Sequence, residues 1–134
     1  MQKFFLSLGS NFEAPDHMQA AVRELCALFS NLTFTRPIWT DPIGHEGPQY
    51  LNILVKGETD LGYEALNAKL KATESRLGRV RHDPHHRVAI DIDILQIDEE
   101  RYHLSDWQRS YVVLLLGGPY FLADAVSSFI TPST

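Results

Sequence analysis

Two aspartates, Asp91 and Asp93, lie inside an aliphatic run, AIDIDIL, that predicts a β-strand. Side chains alternate along a strand, so both carboxylates lie on one face, and the opposite, apolar face is formed by Ile90, Ile92 and Ile94. The two aspartate Cα atoms are then about 6.6 Å apart, and their charges repel by roughly 2.5 kcal/mol at an effective dielectric near 20. A cation between the carboxylates would relieve this repulsion, and oxygen ligands beside a phosphate substrate suit Mg²⁺. The alternative is an edge strand with two hydrated aspartates.

The segment before this strand is rich in positive charge and contains Arg76, Arg79, Arg81, His82, His85, His86 and Arg87. Arginine forks beside Mg²⁺ are what a polyphosphate needs, so the segment predicts a phosphate-binding loop. Because residues 78–87 include few apolar side chains, we expect this loop to be mobile in the free protein and to close over bound nucleotide. Two alternatives stay open, a solvated surface loop and a transition-metal site formed by His82, His85 and His86 with Asp83.

Length and composition restrict the class of protein. The chain has 134 residues, 44% of them hydrophobic, and a net charge of −5, which predicts a single domain over residues 1–134. The negative charge argues against general nucleic-acid binding. Cys26 is the only cysteine, so we expect no disulfide framework, a core position for its side chain and a cytoplasmic protein. No apolar run reaches the length of a membrane span, and we expect a monomer whose partners are small molecules.

The spacing of apolar residues predicts the order of the elements. Strands are expected over residues 4–8, 32–39, 50–56 and 88–97, with one helix that begins at the cap Asp16 and another over 62–77. This order is that of an α+β, ferredoxin-like βαββαβ open sheet with both helices packed on one face. A short C-terminal addition follows, with a short strand over 102–104, a strand or helix start over 111–116 and a final helix over 119–129.

Glu74 interrupts the apolar stripe of the second predicted helix, which contains Tyr63, Leu66, Leu70 and Leu77. A carboxylate in this position either reaches water at the margin of the stripe or fixes an arginine or a ligand. The sequence leaves both possibilities open.

Four motifs occur together in one order: LGSN at 8–11, GPQYLN at 47–52, Glu74 with LGRVR at 77–81, and IDIDIL at 90–95. In this combination the chain, over roughly residues 4–116, resembles the 6-hydroxymethyl-7,8-dihydropterin pyrophosphokinase family of the folate pathway. The resemblance implies a ferredoxin-like fold, which agrees with the element order above. It also implies transfer of pyrophosphate from the co-substrate ATP to the hydroxymethyl group of the pterin, with release of AMP.

The resemblance assigns roles to individual residues. Asp91 and Asp93 match the aspartates that hold two Mg²⁺ ions, and Arg79 and Arg87 join them as catalytic residues. The residues implied to bind the pterin are Thr40, Ile43, Tyr50, Asn52 and Tyr111. Those implied to face the nucleotide are Glu74, Arg79, His103 and Arg109.

One position separates this chain from the family pattern. The family usually places an arginine three residues before the first aspartate, whereas Val88 stands there and Arg87 lies one residue earlier. A shift of one residue on a strand turns a side chain to the other face unless a loop or bulge intervenes. An alternative function is therefore a relative that binds pterin or nucleotide without efficient transfer. A ferredoxin-like interaction domain without chemistry is a further alternative.

Overall fold

The computed structural model describes residues 1–116. In chain order the elements are β1 (Gln2–Ser10), α1 (Ala14–Leu28), β2 (Thr33–Phe34), β3 (Ile38–Thr40), β4 (Tyr50–Thr59), α2 (Tyr63–Arg76), β5 (Asp91–Ile97), β6 (Glu100–Arg101), a 3-10 helix (Leu104–Gln108) and α3 (Ser110–Leu116). Within these residues no helix is long and apolar enough to cross a membrane.

Strand β1 lies at the centre of one antiparallel sheet. It pairs with β4 on one side, from Gln2 opposite Thr59 to Ser10 opposite Leu51, and with β5 on the other side. The short strands β2 and β3 pair with the outer edge of β4, and β6 pairs with β5. This order, with α1 and α2 as the connections, confirms the expected ferredoxin-like α+β fold.

One side of the sheet, called the closed face below, is covered by the two long helices. The strands contribute alternate aliphatic residues to it, and the helices contribute the apolar stripes expected from the sequence. The fully buried side chains there include Leu6, Leu8, Ile53, Val55, Ile92 and Ile94 from the strands and Met18, Val22, Leu25, Leu66 and Leu70 from the helices. This face holds the main hydrophobic core.

The other side, called the open face, is covered only in part. A smaller cluster joins Leu54 and Leu95 of the sheet to Tyr111, Val112 and Leu115 of α3. The 3-10 helix adds Trp107, whose indole nitrogen donates to the carbonyl groups of Leu95 and Tyr102 at 3.2 Å. The 3-10 helix and α3 therefore cover part of the open face, and the remainder can hold a binding site.

Three predictions about the first half of the chain are wrong. The strand expected over 32–39 is divided into β2 and β3, because Pro37 has no N–H to donate to a sheet ladder. Asp16 does not cap α1, because the helix begins at Ala14 after Glu13, whose backbone is left-handed at φ 44°. Cys26 is exposed and does not lie in the core, since it falls beside the buried stripe of α1 and outside it.

The strand expected over 88–97 begins three residues later than predicted, and the local patterns beyond residue 98 were less informative. Strand β5 begins at Asp91, and Leu95 is an extra residue between the pairs Leu6–Ile94 and Phe5–Gln96, which forms a bulge. The strand expected over 102–104 is wrong, because the chain there enters the 3-10 helix after β6. Residues 111–116 are helical, and the helix expected over 119–129 lies outside the described residues.

Candidate active site

The centre of the open face is a patch where three adjacent strands place small or polar residues side by side. Gly9 of β1 lies between Asn52 of β4 and Asp91 of β5. One step along, Ser7 lies between Leu54 and Asp93. A Cβ atom on Gly9 would come within 3.3 Å of Asn52 Oδ1, so the glycine keeps the floor between Asn52 and Asp91 clear.

The two aspartates on this patch are unequally exposed, with side-chain exposure of 38% for Asp91 and 20% for Asp93. Burial raises the pKa of Asp93 to about 6, together with the negative charge of Asp91 and a hydrogen bond to it, while the positive charges of Lys71 and His103 act in the opposite direction. The repulsion expected from the sequence is therefore present. Because both donors are hard carboxylate oxygens on one face of a strand, they fit Mg²⁺.

Glu74 settles the question left open by the sequence, because its side chain is buried and bonded to the protein. Its Oε2 accepts the Ile92 N–H at 2.6 Å and pairs with Lys71 Nζ at 2.8 Å, and its Oε1 pairs with Arg81 at 3.1 Å. Strand β6 pairs with β5 only at Gln96 and Ile97, so Ile92 lies on a free edge of the sheet. Glu74 therefore satisfies a strand edge and fixes two cationic side chains.

Lys71 lies next to the carboxylates, a position that the sequence analysis did not anticipate. Its ammonium donates to the Ile92 carbonyl at 2.8 Å and lies 3.3 Å from Asp93 Oδ1 and 3.9 Å from Asp91 Oδ1. Burial alone would lower the pKa of Lys71, but its hydrogen bond to Glu74 and the surrounding carboxylates raise it above the ordinary value. The site thus contains a charged lysine.

Arg79 approaches the same carboxylates from the loop after α2. One of its terminal nitrogens lies 3.3 Å from Asp91 Oδ1 and donates to the Ile90 carbonyl at 3.1 Å. Its Nε is buried and has no partner within the described residues. The arginine is therefore held in place while its buried Nε–H is unpaired.

His103 and the 3-10 helix form the boundary of the site beside Asp93. His103 Nε2 lies 3.8 Å from Asp93 Oδ1. Ligand atoms of Asp93, His103 and Asp106 all lie within 4.8 Å of one another. Arg109 pairs with Asp106 at 3.1 Å, which holds the arginine at the same end of the open face.

The loop histidines are not arranged as the transition-metal hypothesis expects. In the described part of the chain, His82, His85 and His86 do not converge with Asp83 as a group of metal ligands. The ring of His86 instead stacks on that of His45 at 4.6 Å, and Asp83 pairs with Arg87 at 2.9 Å.

A cleft of about 640 Å³ extends over the patch. All five residues implied to bind the pterin line it, together with both aspartates and Arg109: Thr40, Ile43, Tyr50, Asn52, Tyr111, Asp91, Asp93 and Arg109. Glu74 does not line this cleft. The fold therefore brings into one cavity residues that are separated by up to about seventy positions in the chain.

Asn52 and Tyr111 have defined hydrogen bonds in the cleft. Asn52 Nδ2 donates to Thr40 Oγ1 at 2.8 Å and to the Tyr50 carbonyl at 3.1 Å. All hydrogen bonds described for Asn52 use this nitrogen, so Oδ1 is available as an acceptor. The Tyr111 hydroxyl lies 3.2 Å from Ser7 Oγ, which places the tyrosine ring along the floor of the cleft.

A smaller cleft of about 160 Å³ adjoins the first and shares His45 and Tyr50 with it. Arg79 and Arg87 both line this smaller cleft. Besides its pair with Asp83, the guanidinium of Arg87 lies over the ring of Phe12 at 5.4 Å. Arg87 thus faces the adjoining cleft and makes no described contact with Asp91 or Asp93.

Asn11 attaches the arginine loop to the sheet. Its Nδ2 donates to the His86 carbonyl at 2.8 Å, and its Oδ1 accepts the Val88 N–H at 2.6 Å. The asparagine of the LGSN motif therefore fixes the arginine loop at the point where the chain approaches β5.

Sequence reasoning missed Lys71, Ser7 and Gly9 as parts of the site. Ser7 and Gly9 could have been found from alternation, since they occupy the face of β1 opposite the aliphatic residues Leu6 and Leu8. The signal for Lys71 was its position three residues before Glu74, a spacing that brings helical side chains together.

A family model described as 7,8-dihydro-6-hydroxymethylpterin-pyrophosphokinase matches residues 5–117. The matched segment contains every residue of the site described above. No curated protein matches the chain.

Proposed function

The chain belongs to the 7,8-dihydro-6-hydroxymethylpterin-pyrophosphokinase family, and we propose that it transfers pyrophosphate from ATP to 6-hydroxymethyl-7,8-dihydropterin, giving the pterin diphosphate and AMP. The family membership supports a pterin pyrophosphokinase of folate biosynthesis that uses ATP. The exact reaction and the residue roles are our proposal.

The observation that carries the proposal is the row formed by Asn52, Gly9 and Asp91 across three adjacent strands. Neighbouring strands are about 4.8 Å apart, so Asn52 and Asp91 are about 10 Å apart. That distance suits a bicyclic ring with one short substituent, with its ring edge at Asn52 and its hydroxymethyl group near the carboxylates. Gly9 leaves the floor flat between them.

The pterin end of the cleft offers what a flat heteroaromatic ring requires. Tyr50 and Tyr111 provide aromatic surfaces, and Asn52 and Thr40 provide hydrogen-bonding groups at the ring edge. Ile43 is largely exposed on the loop between β3 and β4, where its side chain can cover the bound ring.

The phosphate end is defined by charge. Asp91 and Asp93 would hold Mg²⁺, which supplies positive charge to phosphate oxygens during transfer. Arg79 lies beside Asp91, and Arg109 lines the cleft where it pairs with Asp106, so both arginines can bind phosphate oxygens. His103 would contact the nucleotide beside Asp93, and Glu74 would act on the nucleotide side by holding Lys71 and Arg81.

The test is a reaction containing the protein, Mg·ATP and the hydroxymethyl dihydropterin, analysed for both products. We expect AMP and the pterin diphosphate in equal amounts, and neither when the pterin is omitted. Release of ADP in place of AMP would identify an ordinary kinase or ATPase and reject the proposal.

A second candidate, a binding relative with inefficient transfer, is favoured by one observation. Arg87 is engaged by Asp83 and Phe12 in the adjoining cleft. If Arg87 stays there with substrates bound, the protein should bind pterin and an ATP analogue tightly yet release AMP slowly in a single turnover. Prompt release of AMP would reject this candidate.

We also propose that the protein acts in the cytoplasm as a monomer consisting of one domain over residues 1–134. The single cysteine, the negative net charge and the one continuous sheet support this. Light scattering coupled to gel filtration should give the mass of one chain, and twice that mass would reject the monomer.

A further inference from the structure

Lys71 occupies the position of a bound cation. Its ammonium has oxygen atoms on several sides: Glu74 Oε2 and the Ile92 carbonyl at 2.8 Å, Asp93 Oδ1 at 3.3 Å and Asp91 Oδ1 at 3.9 Å. Two of these four oxygens belong to the carboxylates that are proposed to hold the divalent ion. A surface lysine would not normally collect four oxygens in this way.

The ammonium and a divalent ion would use the same two oxygen atoms. Mg²⁺ binds carboxylate oxygens at about 2.0–2.1 Å. An ion that bound both Oδ1 atoms while Lys71 stayed in place would lie close to a second positive charge, and the two cations would repel each other in a partly buried setting. The ion can therefore bind fully only when the ammonium moves away from Asp93.

The surroundings of Lys71 provide a place for it to move. Glu74 and the Ile92 carbonyl lie closer to its nitrogen than either aspartate does, and they stay available when the aspartates bind an ion. The lysine has a flexible four-carbon stem. A small displacement toward Glu74 would keep the charge of Lys71 paired.

We propose that Lys71 is a positioning residue that substitutes for the divalent ion in the free protein and competes with it for Asp91 and Asp93. The ammonium holds the two like-charged carboxylates together until nucleotide arrives. Because phosphate oxygens add ligands that the free site lacks, the ion enters together with ATP and binds weakly without it. This inference rests on the proposed role of Asp91 and Asp93 as ion ligands.

The test is calorimetric titration of Mg²⁺ into the nucleotide-free protein, with thermal unfolding in EDTA as a second measurement. Lys71→Gln removes the charge but keeps an amide donor for Glu74. We expect it to bind Mg²⁺ at least about tenfold more tightly than the native protein, because one repelling charge is gone. Its melting temperature in EDTA should be lower, and the rise on adding Mg²⁺ should be larger.

Three further variants complete the design. Lys69→Gln makes the same change at an exposed position of α2 and should behave like the native protein. Lys71→Arg keeps the charge and should keep the weak Mg²⁺ binding. Lys71→Met keeps the length of the side chain without its charge, and it repeats the test if Lys71→Gln unfolds.

The outcomes separate the inference from the proposed function. If neither Lys71→Gln nor Lys71→Met binds Mg²⁺ more tightly while AMP is still formed, Lys71 is only a structural ion pair and the inference is wrong. If Asp91→Asn also leaves Mg²⁺ affinity unchanged, the ion does not bind at the pair, and the proposed roles of both aspartates fail with it.

Discussion

The closed and open faces of the sheet are formed by the same three strands and have opposite properties. On the closed face, β1, β4 and β5 contribute aliphatic side chains that are buried under two helices. On the open face, the same strands contribute Ser7, Gly9, Asn52, Asp91 and Asp93, and much of the surface is a cleft. Because side chains alternate between the two faces of each strand, the residues that stabilise the fold and the residues of the candidate site lie on opposite faces of the same strands.

The two faces differ in whether they hold charged side chains close together. The closed face buries aliphatic side chains against two helices. The open face keeps Asp91 and Asp93 adjacent, and burial of Asp93, together with the negative charge of Asp91, raises the pKa of Asp93 to about 6. Such an arrangement persists because the closed face supplies the stability that the open face lacks.

The largest effect is expected from substitutions on the two faces of β5, made one at a time. Asp91→Asn and Asp93→Asn should each lower transfer by more than about a hundredfold, because metal-assisted charge stabilisation contributes several kcal/mol. Ile92→Ala, on the closed face, should lower the free energy of unfolding by about 2–5 kcal/mol and retain transfer at temperatures where it is folded. Product formation and urea unfolding measure the two effects.

Asp60→Asn is the matched control for the aspartates, since Asp60 is exposed and lies after β4, away from the cleft. It should change neither quantity. Near-native transfer in both Asp91→Asn and Asp93→Asn would mean that the chemistry is not on the open face.

Glu74 connects the two faces, and its replacement should affect both. Glu74→Ala leaves Lys71 and Arg81 without their shared partner and removes the acceptor of the Ile92 N–H. We expect a loss of about 1–3 kcal/mol in the free energy of unfolding, because the buried Ile92 N–H would be left without an acceptor. Chemical denaturation measures it. Glu64→Ala, in the exposed first turn of the same helix, is the control. If the two variants lose the same free energy of unfolding, Glu74 does not stabilise the edge of β5.

Binding of the pterin should depend on Asn52. Asn52→Ala removes a ring-edge partner and leaves a buried ring group unpaired, at a cost of roughly 1–3 kcal/mol. Pterin affinity measured by calorimetry with a non-hydrolysable ATP analogue should fall by the corresponding factor of about 5 to 150. Gln49→Ala, on the rim of the same cleft, should have less effect, and unchanged affinity in Asn52→Ala would place the pterin elsewhere.

The raised pKa of Asp93 predicts how stability depends on pH in metal-free solution. Between its ordinary value of 3.8 and about 6, the native state binds more protons at Asp93 than the unfolded state does. The contribution of Asp93 to stability therefore decreases as pH rises through this window, by less than about 3 kcal/mol. Urea unfolding in EDTA at pH 4.5 and 7.5 should show a smaller decrease in Asp93→Asn than in the native protein. Equal pH dependence in the two proteins would show that the open face stores no such repulsion.

The smallest effect is expected in the arginine loop, residues 78–87. Its ends are attached through Arg79 and through Asn11, so closure should involve mainly the residues between them. Hydrogen exchange there should slow when Mg·ATP analogue and pterin are both bound, and Arg87→Ala should lower the transfer rate more than ATP affinity. No added protection with both ligands would reject closure, and exchange in α1 is the internal reference.

Periodicity along the chain was enough to predict the element order, the aliphatic face of β5 and the shared face of Asp91 and Asp93. These are local properties, because the direction of a side chain on a strand follows from its position in the sequence. The family resemblance likewise implied that Tyr50, Asn52 and Tyr111 belong to one site. Only the sheet register brought them to one cleft together with Gly9.

The tertiary structure alone decided the long-range contacts. Lys71 and Asp93 are 22 residues apart, Asn11 and Val88 are 77 apart, and Ser7 and Tyr111 are 104 apart. No periodicity predicts such pairs, because they depend on how α2 packs beside the edge of β5 and on where the loop and α3 return to the sheet. The same reason explains why Cys26 was misplaced and why Glu74 stayed ambiguous. Whether a side chain at the margin of a helical stripe is buried depends on what packs against the helix, and the spacing along the helix does not contain that information.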